Sequence, residues 1–331
     1  MYSMPHRLEN CKSIELPNPA KWTLQGHSKA GERTGFWIKQ LKVVLDAGLS
    51  TYQSPKAIFL THSHTDHSFE VTHIYEGREK AILKGKGKGK GKNHKIDERG
   101  RPIVMQQCCV PLIEKLINCT NDLSSGTPDY CIVNGIDPWY HRASYPFLVE
   151  PTSSPSSSRY TIDSLQDIEI EVLEGFHSVP SVGYGFNTVT HKLKPELLEL
   201  VKTDKNKFIE LKQQYEKEGK STTTRNVVPQ MVYYGDTNIR ALIEREHWKK
   251  YPVVVIECTL FADKTRISPR QMDEHIHWDD IREVMSQHSN NHFVLIHTSM
   301  SVDDQFLMDL ERTEKSKDDG VHNFQFMTDK Y

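Results

Sequence analysis

No run in this chain approaches the ~20 consecutive apolar residues that a membrane-spanning helix needs. Its opening stretch, Met1 to Asn18, has no apolar core of the signal-peptide kind. Together these absences lead to the expectation of a soluble, cytoplasmic protein with no membrane partner. Cysteine is sparse. The six residues Cys11, Cys108, Cys109, Cys119, Cys131 and Cys258 show no Cys-x-x-Cys spacing. That argues against a thiolate-built structural zinc site and leaves buried free thiols as the default. Charge of one sign is also lacking: the formal net charge is −2. Without a global positive field, nucleic acid can be attracted only through local patches. The hydrophobic fraction of 37% is modest but sufficient for a core. The length of 331 residues does not force two domains, because sandwich folds of roughly 200 to 250 residues are common as single units.

What the chain does have is histidine in a revealing place. His62, Ser63, His64, Thr65, Asp66 and His67 form a His-x-His-x-Asp-His cluster directly after the apolar run Ala57-Ile58-Phe59-Leu60. Three imidazoles and a carboxylate within six residues are hard to explain by packing, and these donors suit zinc and similar divalent metals. Ile58 to Leu60 read as a buried strand, so the cluster sits where strand becomes loop. His62 and His64, two apart, can project toward one metal. Asp66 and His67 follow a turn and can reach a second. A chance group of solvated histidines is the bland alternative.

Two metals need more ligands, and three further residues close apolar runs. His177 follows the alternating stretch Ile168 to Leu173, Asp236 follows Met231 to Gly235, and His297 follows Phe293 to Ile296. Singly, each has a bland reading: a loop histidine, the N-cap of a helix starting near Thr237, a satisfied core histidine. Jointly with the first cluster they describe a site built along one edge of a sheet. Val253 to Ile256 is another short run of buried-strand length. Phe36 to Leu45 is strand-like and leads into the turn Asp46-Ala47-Gly48. Beyond Val302 a helix is expected, capped by Asp303 or Asp304, with Phe306, Leu307 and Leu310 at helical spacing. Cys258 should point away from Glu257 into the core by alternation.

In order and spacing these landmarks resemble the metallo-β-lactamase superfamily and, within it, the tRNase Z-like branch. The resemblance runs from about Gly26 to His297. It rests on Asp46-Ala47-Gly48, Thr61 to His67, His177 to Tyr184, Gly235-Asp236-Thr237, Glu257-Cys258-Thr259, His275-Ile276-His277 and His297. It implies an α/β fold, an αββα sandwich of two facing sheets with outer helices, in a single domain over 1–331. By the same resemblance His62, His64 and His177 would bind one zinc, Asp66, His67 and His297 the other, and Asp236 would bridge them. Two such cations lower the pKa of a shared water, giving hydroxide at neutral pH, and neutralise charge growing on a phosphoryl or carbonyl oxygen. Asp66 could also accept the water's proton. Glu257 and a downstream histidine would protonate the leaving group. Laid on the family's Gly-His-Ser-Thr stretch, His275 takes the histidine place and His277 the threonine place, so His275 is preferred and His277 is its rival. The alternative roles are helix capping for the histidines and a strand-end salt bridge for Glu257.

Three segments depart from compact order. Lys84 to Lys92 alternates lysine with glycine, which abolishes packing and leaves like charges to repel. It is expected as a mobile loop, either merely solvated or able to find phosphates without reading sequence. Insertions are thus placed near 84–100 and 151–159, the second containing the flexible stretch Thr152 to Ser158. A charged, helix-forming segment near 192–226 stands where related tRNase Z proteins carry a substrate-gripping arm. The leading expectation is a zinc-dependent endoribonuclease or phosphodiesterase acting on structured RNA or tRNA, a homodimer by resemblance. The alternative is a small-molecule hydrolase acting on esters, lactones or β-lactams. A binding module with a vestigial site is the non-enzymatic reading, weakened because every expected ligand is present. The family's Gly-Thr-Gly and Arg-Asn elements are replaced here by Gly26-His27-Ser28-Lys29-Ala30. Its Arg-Tyr pair after the last metal histidine is replaced by Thr298-Ser299-Met300-Ser301.

Overall fold

The computed structural model describes residues 7–74, 103–105, 109–125 and 159–328. The Lys84–Lys92 run, the Thr152–Ser158 stretch, Cys108 and Cys131 lie outside these residues.

Alternation of buried side chains builds two sheets that face each other. The first comprises β1 (Ser13–Glu15), β2 (Thr23–Lys29), β3 (Arg33–Ile38), β4 (Val43–Ala47), β5 (Ala57–Phe59) and β6 (Ile103–Val104), in that spatial order. The second comprises β7 (Arg159–Thr161), β8 (Ile168–Gly175), β9 (Ser181–Leu193), β10 (Thr223–Tyr234), β11 (Val253–Glu257), β12 (His292–Ile296) and β13 (Phe324–Phe326). Its spatial order is the reverse, from β13 to β7. Phe36, Val43, Leu45 and Phe59 from the first sheet meet Tyr184, Phe186, Met231, Tyr233, Val255 and Val294 from the second in one core between the sheets. The alternate residues Val232, Val254, Ile256, Phe293 and Leu295 point the other way. There they pack under Ile281, Val284 and Met285 of the helix Trp278–Gln287 and Leu307 of the helix Asp304–Ser316. On the opposite outer face, Val44 and Ile58 meet Val71, Ile113 and Ile117, the last two from the helix Val110–Ser125. Strands covered on both faces read as continuous apolar runs, which these do. The result is an αββα sandwich.

Strand direction decides where the site lies. β4 and β5 are parallel, as are β10, β11 and β12. β8 is antiparallel to β9, and β9 to β10, so β8 runs the same way as β10. The segments after β5, β8, β10, β11 and β12 therefore emerge at one end of the sandwich. Those after β5, β8, β10 and β12 carry His62, His177, Asp236 and His297, and Glu257 is the last residue of β11. Ligands collect outside the carboxyl ends of parallel strands for this reason.

Three readings need correction. Phe36 to Leu45 is not one strand but the hairpin β3–β4, turned by Lys39 to Lys42, with Lys42 at φ 56°. Leu41 in that turn still packs against the core, so the apolar pattern continued through it. Cys119 is exposed rather than buried. The helix after Asp236 begins at Arg240, so Asp236 does not cap it. The helix Asp304–Ser316 starts as expected: the Asp303 carboxylate accepts the Phe306 amide. The charged segment near 192–226 extends β9 and β10 into an antiparallel ribbon, tipped by helices Pro195–Thr203 and Lys205–Lys217. No helix among the described residues is long and apolar enough to cross a membrane.

Gly48 is where the two motif segments of the first sheet touch. A Cβ there would lie 1.8 Å from the Asp66 carbonyl oxygen and 2.6 Å from the Thr34 nitrogen, both backbone. We expect Gly48→Ala to lower stability by about 1–3 kcal/mol, in the range of overpacked sites, as read by urea denaturation. An unchanged midpoint would show that the His62–His67 segment is not held against this glycine.

Candidate metal centre

The site is organised from its outside inward. Asp46, fully buried at the end of β4, receives four contacts: from the Thr61 amide (2.8 Å to Oδ1), the Thr61 hydroxyl (3.0 Å), His67 Nδ1 (2.9 Å to Oδ2) and the Tyr233 hydroxyl (2.7 Å to Oδ2). The Thr61 hydroxyl also lies 3.0 Å from His62 Nδ1. His177 Nδ1 donates to the Glu274 carbonyl at 2.9 Å. His297 Nδ1 lies 3.2 Å from the Thr259 hydroxyl, which donates to Glu257 Oε2 at 2.6 Å. In each case one ring nitrogen is held from behind, which fixes the ring's orientation and frees the other nitrogen to act as a donor.

Those inner atoms converge. Among the described residues, His62 Nε2, His67 Nε2, His297 Nε2 and Asp236 Oδ1 are buried without a hydrogen-bond partner. Buried polar atoms left unpaired cost about 1–3 kcal/mol each, so four in one spot call for a partner that is not in the chain. Asp236 lies between two sets. Its Oδ1 is 3.1 Å from His67 Nε2 and 3.2 Å from His297 Nε2, and its Oδ2 is 3.8 Å from His62 Nε2 and 3.7 Å from His177 Nε2. His177 Nε2 lies 3.3 Å from His64 Nδ1. Asp66 Oδ2 is 3.6 Å from both His67 Nε2 and His297 Nε2 and accepts the Gly31 amide at 3.2 Å. The donor atoms of His62, His64, His177 and Asp236 thus lie within 4.8 Å of one another, as do those of Asp66, His67 and His297. This donor set, all imidazole nitrogen and carboxylate oxygen, fits divalent metal ions. The structure brings together all seven residues that the sequence singled out as ligands. It also places a nitrogen of His275 within 4.8 Å of the Asp236 and His297 donor atoms.

The electrostatics suit a cation. Burial pushes His62 well below its ordinary pKa, into the neutral form that can donate a lone pair. Burial acts the same way on His67, but Asp236 and Asp46 on either side outweigh it and raise the ring well above its ordinary value. A metal would displace that proton. For Asp66, burial pushes up and the imidazoles of His297 and His67 pull down more strongly, to about 2.

Beside the donors lies the Glu257–His275 pair. The Glu257 carboxylate is fully buried and accepts from the Thr237 amide (2.7 Å), the Ile276 amide (3.1 Å) and His275 Nδ1 (3.0 Å). Burial lowers the His275 pKa, but the Glu257 charge and hydrogen bond outweigh it and lift the ring to about 9. Its ring centroid lies 5.2 Å from that of His177 and 5.7 Å from that of His297. His277 is engaged elsewhere. Its Nδ1 accepts the Asp279 amide as the N-cap of the helix Trp278–Gln287, and its Nε2 donates to the Ala262 carbonyl at 2.8 Å. A cleft of about 600 Å³ opens beside His177, with Phe176, Pro180, Asn238, Arg240 and Asp273 in its walls.

Sequence reasoning missed the residues behind the ligands. Asp46 stood in a recognised landmark but read as a turn residue, and Thr259 as part of a motif without a task. Tyr233 had a usable signal. Alternation along β10 turns it inward with Met231, and an inward phenol needs an acceptor.

No family model matches the chain, and no curated protein matches it in sequence. Among solved structures it is similar to the metallo-β-lactamase fold protein YhfI from Bacillus subtilis, with 12% identity, 92% of this chain and 95% of that one covered, and a TM-score of 0.48. It is similar also to unliganded yeast PDE1, with 9% identity, 97% and 96% covered, and a TM-score of 0.46. A third is the short form of human tRNase Z, with 11% identity, 97% and 95% covered, and a TM-score of 0.41.

Because Asp46 holds His67 and, through Thr61, His62, Asp46→Asn should weaken metal binding by roughly 10- to 100-fold, the usual cost of a lost supporting carboxylate. Competition against a chromophoric chelator measures this. Undiminished affinity would mean that the rings are oriented without Asp46.

Proposed function

We propose that the chain is a metal-dependent hydrolase that cleaves phosphodiester bonds, acting as an endoribonuclease on structured RNA. The observation that carries this reading is the pair of buried Glu257 and half-buried His275 standing next to a donor set split about Asp236. Zinc is the metal that this set suits best. Two divalent cations bound there would supply Lewis acidity, lowering the pKa of water and neutralising charge that grows on a phosphoryl oxygen.

The protein's own residues account for the rest. His62, His64 and His177 would hold one cation, Asp66, His67 and His297 the other, and Asp236 would contact both. Asp66 is ionised at neutral pH and oriented by the Gly31 amide, so it can receive a proton from the attacking water. Cleavage of a phosphodiester expels an alkoxide that needs a proton. His275 carries one at neutral pH and is held by a carboxylate that its neighbours fix in place. A carboxylate orienting a protonated imidazole is a general acid suited to that step. The ribbon of β9 and β10 with its two terminal helices carries nine lysines and arginines against six carboxylates between residues 192 and 225. That local basic excess supports a polyanionic substrate where the whole chain offers none.

One observation favours a second reading. The cleft of about 600 Å³ beside His177 falls within the usual range of small-molecule pockets, and the same chemistry attacks strained esters and amides, β-lactams included.

Turnover of zinc-loaded protein on labelled structured RNA and, in parallel, on a chromogenic β-lactam tests these readings, with Asp66→Ala as control. The expected result is RNA cleavage abolished by that substitution and by chelator. Intact RNA with rapid β-lactam hydrolysis would overturn the nuclease reading in favour of the second. His275→Ala should lower turnover on RNA by about 10²–10⁴-fold, as for a lost general acid, with metal content unchanged. His277→Ala should retain turnover and lower stability by about 1 kcal/mol, as for a lost helix cap. The reverse outcome would reassign the proton donor.

A further inference from the structure

The two segments in which this chain departs from the tRNase Z pattern, Gly26 to Ala30 and Thr298 to Ser301, meet in space. Lys29 ends β2 and forms a parallel bridge with Thr298, and the Ala30 amide donates to the Thr298 carbonyl at 3.1 Å. The Lys29 side chain is turned inward, only 11% exposed. Its ammonium donates to the Thr298 hydroxyl (2.9 Å) and the Val302 carbonyl (3.0 Å) and lies 3.5 Å from Asp304 Oδ1. One cation therefore holds both ends of the 298–302 loop and the first turn of the helix Asp304–Ser316.

That loop begins at His297, whose backbone has φ 57°. A left-handed conformation at a histidine persists only where its surroundings impose it. On the other side of the same turn, two residues after Lys29, the Gly31 amide donates to Asp66 Oδ2 at 3.2 Å. The tip of the β2–β3 hairpin thus touches both Asp66 and the loop that starts at His297. These belong to one of the two donor groups. Among the described residues, no hydrogen bond or ion pair joins His62, His64 or His177 to the hairpin tip.

We propose that Lys29 is a positioning residue for the half of the centre formed by Asp66, His67 and His297, and that it acts through Thr298 and the hairpin tip. The inference rests on the metal-centre reading above. It also removes Lys29 from the basic groups available to a phosphate, since its ammonium is spent inside the protein.

The test is metal binding without turnover. Metal-free wild type, Lys29→Met and Lys29→Arg are titrated with Co²⁺, and stoichiometry, affinity and the visible d–d spectrum are recorded. Wild type should take two equivalents. Lys29→Met should take the first with wild-type affinity and the second roughly 10- to 100-fold more weakly, losing only part of the spectrum, while Lys29→Arg recovers part of the second. Equal affinities for both equivalents in Lys29→Met and wild type would overturn the proposal, as would an equal loss of both in a protein that still unfolds cooperatively. Should Lys29→Met not fold, Thr298→Val removes one partner of the ammonium and should weaken the second equivalent alone; no change there overturns the proposal equally. A wild type that takes up no metal fails the metal-centre reading itself, a result distinct from two equal equivalents.

Discussion

A single buried carboxylate holds the centre of this protein together. Asp46 sits at the end of one sheet, yet its oxygens are satisfied from both. Thr61 and His67 come from the segment after β5, and the Tyr233 hydroxyl crosses from β10 of the facing sheet. A carboxyl group with no exposure is tolerable only when its oxygens are hydrogen-bonded. The two sheets can therefore meet well only in the register that brings Tyr233 to Asp46. That register also brings Asp236, three residues beyond Tyr233, against His62 and His67. Docking of the sheets and assembly of the donor set are the same event.

The second anchor, Glu257, works in the same manner on the other side. It is buried, receives two backbone amides, orients His275 directly and reaches His297 through the Thr259 hydroxyl. His297 and His275 thus take their alignment from one group. A change at Glu257 would reach both, so its effect on turnover could not be assigned to proton transfer alone. Thr259, which touches His297 and not His275, is the position at which the two roles separate.

Much of this was legible in the residues, for a physical reason. Metal donors are costly to place near a core and useless singly, so histidines and aspartates at the ends of four apolar runs carry strong joint information. Alternation also sent Cys258 into the core, where it lies with Val254 and Ile256. What escaped was of two kinds. The turn at Lys39 to Lys42 hid inside a continuous apolar pattern because Leu41 packs on the core even within a turn. The supporting residues Asp46, Tyr233, Thr259 and Lys29 escaped because their roles depend on partners far away in the chain. No local pattern announces that Lys29 will meet Thr298 or Tyr233 meet Asp46.

The strand order has one further consequence, for the life history of the molecule. His62 and His64 are made early in synthesis, but the centre also needs Asp236 and His297, which lie beyond β10 and β12. β12 pairs in register between β11 and β13, so His297 takes its place only after the C-terminal third of the chain has joined the second sheet. Non-local pairings of this kind form slowly, because the loop-closure entropy is spent before the contacts repay it. A nascent or truncated chain therefore presents isolated histidines and an incomplete donor set. The complete donor set belongs to the closed sandwich alone.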